Sequence, residues 1–179
     1  MITTARLELR HFRPEDAEAF AAYRSVPEVA RYQSWEAPFS LDNARTTVAG
    51  FATGDPLAPG WFQYAIDLDG RLIGDIGLNT ADNLMQADLG FTLAPAYQGK
   101  GYATEAVGAL LEQLFTEREL HRVSAECDAR NVTSARLLQR LGFRPEGFRP
   151  EYSWFKNEWT DDLLFGLLRR DWRSARTAG

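Results

Sequence analysis

The order of periodicities along the chain restricts its fold more than any other feature. Three stretches read as strands in succession, Trp61–Asp67, Arg71–Leu78 and Ala87–Leu93, and the first two meet at Asp69-Gly70, a pair suited to tight hairpin turns. The pattern then changes to a helix from about Thr104 to Arg118, a strand Arg122–Cys127, a helix Ser134–Leu141, and strands around Arg144–Phe148 and Trp159–Leu168. Antiparallel strands followed by strand–helix–strand crossovers predict a mixed α/β sheet. Ahead of this block, Thr3–Arg10 alternates with Leu7 and Leu9 on one face and reads as a strand. Pro14 opens a short helix with Glu15 and Asp16 in its first turn, and Ser40 caps a second whose Leu41, Ala44, Val48 and Phe51 share a face.

A chain of 179 residues, 45% hydrophobic, is long enough for one buried core, and no repeat or linker divides it. A single domain over residues 1–173 with a frayed tail at 174–179 is expected. The formal charge of -5 has the wrong sign for a general binder of phosphate backbones, so nucleic acid is not the expected partner. No apolar run reaches membrane-spanning length and charge interrupts the N-terminus early, which predicts a cytoplasmic protein with no membrane partner. Cys127 is the only cysteine, and His11 and His121 lie far apart without ligand spacing, so no disulfide and no metal is expected.

Chemistry concentrates in Gly90–Ala106, where a strand, a glycine-rich turn and a helix start follow one another. Gly99 and Gly101 allow a tight turn with several amides pointing into one space at a helix N-terminus, a geometry that suits a diphosphate; an ordinary strand-to-helix turn uses the same residues. A Walker loop fails because Tyr102-Ala103 follows Gly101, and a dinucleotide fingerprint fails because Thr104 stands where its third glycine belongs.

Gln98-Gly99-Lys100-Gly101-Tyr102-Ala103 matches the Q/R-x-x-G-x-G/A signature of the GNAT N-acetyltransferases. The likeness continues through Leu120–Val123, Asn131–Ala135 and Leu141–Gly147, and the opening Thr4–Arg10 and Pro14–Ala17 resemble the RimJ/RimL-type branch of ribosomal-protein N-acetyltransferases. This resemblance implies the acyl-CoA N-acyltransferase fold, with about seven strands and four helices, and acetyl-CoA as the donor. It also implies that the donor's pantetheine arm pairs with the backbone of Phe91, Thr92 and Leu93. Its diphosphate would sit on Gln98, Gly99, Lys100, Gly101, Tyr102, Ala103 and Thr104, with Asn131 and Ser134 near the thioester. A homodimer is compatible with it.

Amine attack on a thioester needs a neutral amine, polarisation of the carbonyl oxygen and a proton for the departing thiolate, and a carboxylate can drain the amine proton through water. The resemblance points to Glu151 as that carboxylate, with Glu158 and Asp161 as rivals, and to the Ser134 hydroxyl for the thiolate. The tyrosine that many relatives carry in the helix after the asparagine is absent, since Leu137 and Leu138 stand there. Cys127 has no sequence neighbour to activate it, which favours direct transfer. The resemblance places Tyr32, Trp35, Phe39, Tyr152, Trp154 and Phe155 over the acceptor side of the sheet, where together they suggest apolar walls of an acceptor pocket, although core is the commoner place for any single one. The acceptor expected from the resemblance is a protein N-terminal amine. The alternatives are a small amine of aminoglycoside or polyamine type, and a non-catalytic acyl-CoA-binding module.

Overall fold

A computed structural model describes residues 1–177. One eight-stranded sheet runs in the order β1-β2-β3-β4-β5-β6-β8-β7. Its strands are β1 (Ile2–Thr3), β2 (Glu8–Arg10), β3 (Gly60–Leu68), β4 (Arg71–Thr80), β5 (Gln86–Leu93), β6 (Arg122–Asp128), β7 (Arg144–Phe155) and β8 (Glu158–Leu168). The helices are α1 (Ala17–Arg24), α2 (Pro27–Ala30), α3 (Leu41–Phe51), α4 (Tyr102–Thr116), α5 (Val132–Arg140) and α6 (Arg169–Thr177). Every strand pair is antiparallel except β5 with β6, which α4 joins in a crossover.

The mixed α/β class is as expected, and the larger element count has local causes. The strand expected over Thr3–Arg10 breaks into β1 and β2 because the Thr4 hydroxyl accepts the Leu7 amide at 2.8 Å and the Thr4 amide donates to the Leu7 carbonyl, closing a turn. Pro27 opens the four-residue α2, and α6 continues the chain beyond β8. The tail expected from Ser174 therefore carries α6 as far as Thr177, while residues 178–179 lie outside the described residues. The Asp69-Gly70 turn has positive φ at both residues (53° and 82°), as a tight hairpin requires. Ser40 caps α3 by accepting the Asn43 amide.

Two hydrophobic clusters cover the two faces of the sheet. On one, Leu110, Leu111, Leu114 and Phe115 of α4 pack against Ile73, Ile76 and Leu78 of β4 and Phe165 and Leu167 of β8. On the other, Phe20 of α1 and Val48 of α3 pack against Ala65 and Leu72. Burying side chains such as these stabilises the fold by about 1.5–3 kcal/mol for each large one. Arg10 ties β2 into this second layer: buried to 2% exposure, it forks onto both oxygens of Asp16 and donates through Nε to Asp67 at 2.8 Å.

Candidate active site

The one parallel pairing creates the site. β5 and β6 are in register only from Gln86↔Arg122 to Asp88↔Ser124, and beyond that point they part. The parting opens a cleft. One bank is Leu89–Phe91, the other Ala125–Asp128, and Asn131 just before α5, Ser134 and Leu138 of α5, Tyr32 and Gln33 complete the lining.

Successive strand residues point to opposite faces of a sheet. Because both Ala125 and Cys127 and their alternates Glu126 and Asp128 line the cleft, it opens to both faces. Ala125 belongs to the α4 face, whereas Tyr32 and Gln33 follow α2 on the opposite side. Two molecules entering from opposite faces would meet between the parted strands.

The β5 edge is free along the cleft. Ala94 donates to Ile73 and the Thr92 carbonyl turns towards Gly74, so both face β4. By antiparallel alternation Phe91 and Leu93 then turn their amides and carbonyls away from β4, an edge that an extended amide-bearing chain can pair with. Of the residues expected to pair with the pantetheine arm, Thr92 thus turns its backbone to β4 while its two neighbours turn theirs outward. The Leu93 carbonyl accepts from Gln98 Nε2 at 2.8 Å, so the Gln98 side chain fastens the end of β5 to the following loop.

That loop has the conformation its glycines permit. Gly99 and Gly101 have φ of 72° and 83°, and Gly101 is the left-handed N-cap residue of α4 without a side-chain cap. The first amides of an α-helix lack intrahelical partners, which leaves those of Tyr102, Ala103 and Thr104 for an anion. A Cβ at Gly99 would meet open space and one at Gly101 only an Arg6 nitrogen at 3.5 Å, so the conformation, rather than crowding, calls for glycine. Lys100 Nζ donates to the Ala96 carbonyl. An open cradle continuous with a free strand edge fits an acyl-CoA.

Across the cleft, Asn131 caps α5 by accepting the Ser134 amide at 3.2 Å. Ser134 is therefore not the cap, and its side chain borders the opening. Burial, reinforced by the charges of Asp128, Asp162 and Glu126, pushes the Cys127 thiol up to about 11. A nucleophilic role would need the reverse shift. Burial opposes ionisation of Asp128, but hydrogen bonds from Arg130 outweigh it and hold this carboxyl below its usual range.

The structure separates the other expected residues. Tyr32 lines the cleft, and its hydroxyl lies 3.4 Å from the Arg130 carbonyl. Trp35 and Phe39 instead pack against the second core. Trp35 and Phe20 sandwich the Arg24 guanidinium at 3.8 and 4.0 Å, and Trp35 Nε1 donates to the Arg24 carbonyl. Arg24 in turn faces Asp75, which accepts from the Tyr23 hydroxyl and Gln63 and whose carboxyl burial pushes up. Tyr152 is exposed and stacks on Arg149, and Trp154 is exposed beside Trp159. Phe155 is half-buried next to Lys156.

Glu151 sits in a bulge of β7 with φ of 44°, its amide held by Asp161 at 2.7 Å, and it is exposed outside the lining of the cleft. Its rival Glu158 is paired with Arg130. Two carboxylates that border the cleft were missed in the sequence: Asp128, which Arg130 holds at 2.7 Å, and Glu126, which pairs with Arg149 at 2.6 Å. The polar alternation of Ser124, Glu126 and Asp128 marks one face of β6 but carries no sign that the strand parts from β5 there.

A family model for the acetyltransferase (GNAT) domain matches residues 6–144. The chain belongs to the GNAT acetyltransferase family. It is 34% identical over 171 residues to the uncharacterized N-acetyltransferase YnaD of Bacillus subtilis (strain 168), covering 96% of this chain and 98% of the relative. A solved GNAT-family acetyltransferase from Bacillus anthracis is 30% identical and superposes with a TM-score of 0.85, over 94% of this chain and 98% of that one. A shorter match, 34% over 88 residues, covers 49% of this chain and 45% of the ribosomal protein uS5-alanine N-acetyltransferase of Escherichia coli (strain K12). This GNAT protein is thus an N-acetyltransferase. Among its described residues no group of side chains could hold a metal ion, and no helix is long and apolar enough to cross a membrane.

Proposed function

We propose that this GNAT enzyme transfers acetyl from acetyl-CoA directly to the N-terminal amine of a protein, with donor and acceptor entering the cleft from opposite faces of the sheet. The observation that carries this reading is the parting of β5 and β6 beyond Asp88 and Ser124. The donor would be held by the Phe91 and Leu93 backbone and by the amides from Gly99 to Thr104, and it supplies the activated acetyl thioester. The partial match to an enzyme named for a ribosomal-protein alanine supports the protein acceptor.

The chain's own residues supply position and proton transfer. Ser134, at the mouth of α5, is the group we assign to the departing sulfur, to which its hydroxyl donates a hydrogen bond. The amine must shed a proton to be a nucleophile, and two carboxylates are candidates to receive it. Glu126 borders the cleft, while Glu151 on the β7 bulge takes the proton through water if the acceptor extends over β7. The raised thiol of Cys127 supports transfer without an acyl-enzyme.

Initial rates of CoA release test the acceptor class. A peptide with a free N-terminal alanine or serine is expected to turn over with saturation, and its N-formyl counterpart to be inert. Faster turnover of a polyamine or an aminoglycoside would replace the protein acceptor by a small one. Acyl-CoA binding without turnover of any amine would identify a binding module.

A further inference from the structure

Glu105, in the first turn of α4, is held by the turn that separates β1 from β2. Its Oε1 accepts the Thr4 hydroxyl at 2.6 Å and the Arg6 amide at 3.0 Å, and its Oε2 receives Arg6 Nε at 2.7 Å and Nη2 at 2.6 Å. The same guanidinium donates through Nη1 to the Lys100 carbonyl at 3.2 Å and lies 4.4 Å from the centre of the Tyr102 ring. One side chain thus grips the middle of the Gly99–Gly101 loop, the first residue of α4 and the carboxylate one turn later. Burial works against the charge of Glu105, but the hydrogen bonds from Thr4 and Arg6 prevail and keep it ionised.

We propose that Arg6 and Glu105 are positioning residues for the donor: their clamp fixes the loop so that its amides face the diphosphate. The inference rests on the reading of this loop as the acyl-CoA cradle. In a planar trans peptide the C=O and N–H point opposite ways, so by drawing the Lys100 carbonyl to one side Arg6 directs the Gly101 N–H to the other. It also neutralises Glu105, whose free carboxylate beside the helix N-terminus would repel an anion.

The sign of one substitution separates this role from simple charge. Glu105→Gln removes a negative charge near a dianionic group, so electrostatics alone would tighten acetyl-CoA binding, and so would a free Arg6 that touched phosphate directly. The clamp requires the opposite: Glu105→Gln and Arg6→Ala each raise the KM for acetyl-CoA and the Kd for CoA by about tenfold, the effect of losing roughly one charge-assisted interaction, with kcat little changed. S-acetyl-pantetheine, which carries the thioester but no diphosphate, is expected to react with the variants as with the parent. Thr4→Val, which removes only a hydroxyl, gives a milder donor defect and serves if the charge variants do not fold. Unchanged or tighter CoA binding in Glu105→Gln, or equal losses with both donors, would overturn the clamp. A parent protein whose CoA affinity ignores Gly101→Val would instead overturn the cradle on which the clamp rests.

Discussion

Lys156 Nζ, at the tip of the β7–β8 hairpin, donates to the Ala30 carbonyl at 2.7 Å and to the Trp35 carbonyl at 2.8 Å. These contacts join the hairpin to the loop that carries Tyr32 into the cleft, so the entrance on the α1–α3 side is built from segments more than a hundred residues apart. Lys156→Met keeps the aliphatic stem and removes the donors. It is expected to raise the KM for the amine by roughly tenfold or more, matching the ~1.5–3 kcal/mol of a charged hydrogen bond, and to leave CoA affinity unchanged. Steady-state kinetics with each substrate varied in turn would show this, and an equal rise in both constants would refute it.

Gly101→Val places a β-branched residue at φ of 83°. The left-handed conformation costs a non-glycine residue about 1–2 kcal/mol, and the added side chain stands beside the helix amides. Calorimetry with CoA should show affinity lowered by tenfold or more. Gly50 of α3, where a Cβ would meet open space, offers a control: its alanine variant should bind CoA normally.

Cys127→Ala and Ser134→Ala should differ. The first leaves the acetylation rate close to the parent at neutral pH, since a thiol held up at about 11 is protonated there. The thiol's ordinary value is 9.0, so the folded state retains a proton that the unfolded chain loses between these values. The stability linked to it is present below pH 9 and lost as pH rises towards 11, and thermal melts of the alanine variant should lack that part of the alkaline decline. Ser134→Ala should lower kcat by more than it raises the KM for acetyl-CoA, because the hydroxyl serves the leaving sulfur. A pure KM effect would make Ser134 a binding contact.

The two carboxylates are separated by their pH–rate profiles. Substituting the working base with glutamine should reduce kcat by about 10²–10⁴-fold and displace the acidic limb of the profile. We expect this of Glu126→Gln, with Glu151→Gln milder. If only Glu151→Gln moves the limb, the acceptor lies over the β7 bulge.

Local pattern carried much of this fold. The Asp69-Gly70 turn, the Ser40 cap and the glycine turn before α4 each declare themselves within a few residues, because dihedral preference and helix capping are local effects. Contacts between distant segments did not show. Nothing in Thr3–Arg10 discloses that Glu105 will hold the Thr4 turn, and nothing in Tyr32–Phe39 discloses that Arg24 will draw Trp35 and Phe39 inward. Glu126 was hidden for a related reason: it acquires its place only where β6 leaves β5, which the alternation of β6 does not reveal.

Intact-mass spectrometry of a single-turnover mixture distinguishes direct transfer across the sheet from a route through an acyl-enzyme. The enzyme is mixed with acetyl-CoA, with and without a peptide bearing a free N-terminus. Direct transfer places one acetyl group on the peptide's α-amine, dependent on the enzyme, and no acetyl on the enzyme in either mixture. An acetylated enzyme that forms without peptide and hands its acetyl on when peptide is added would contradict it.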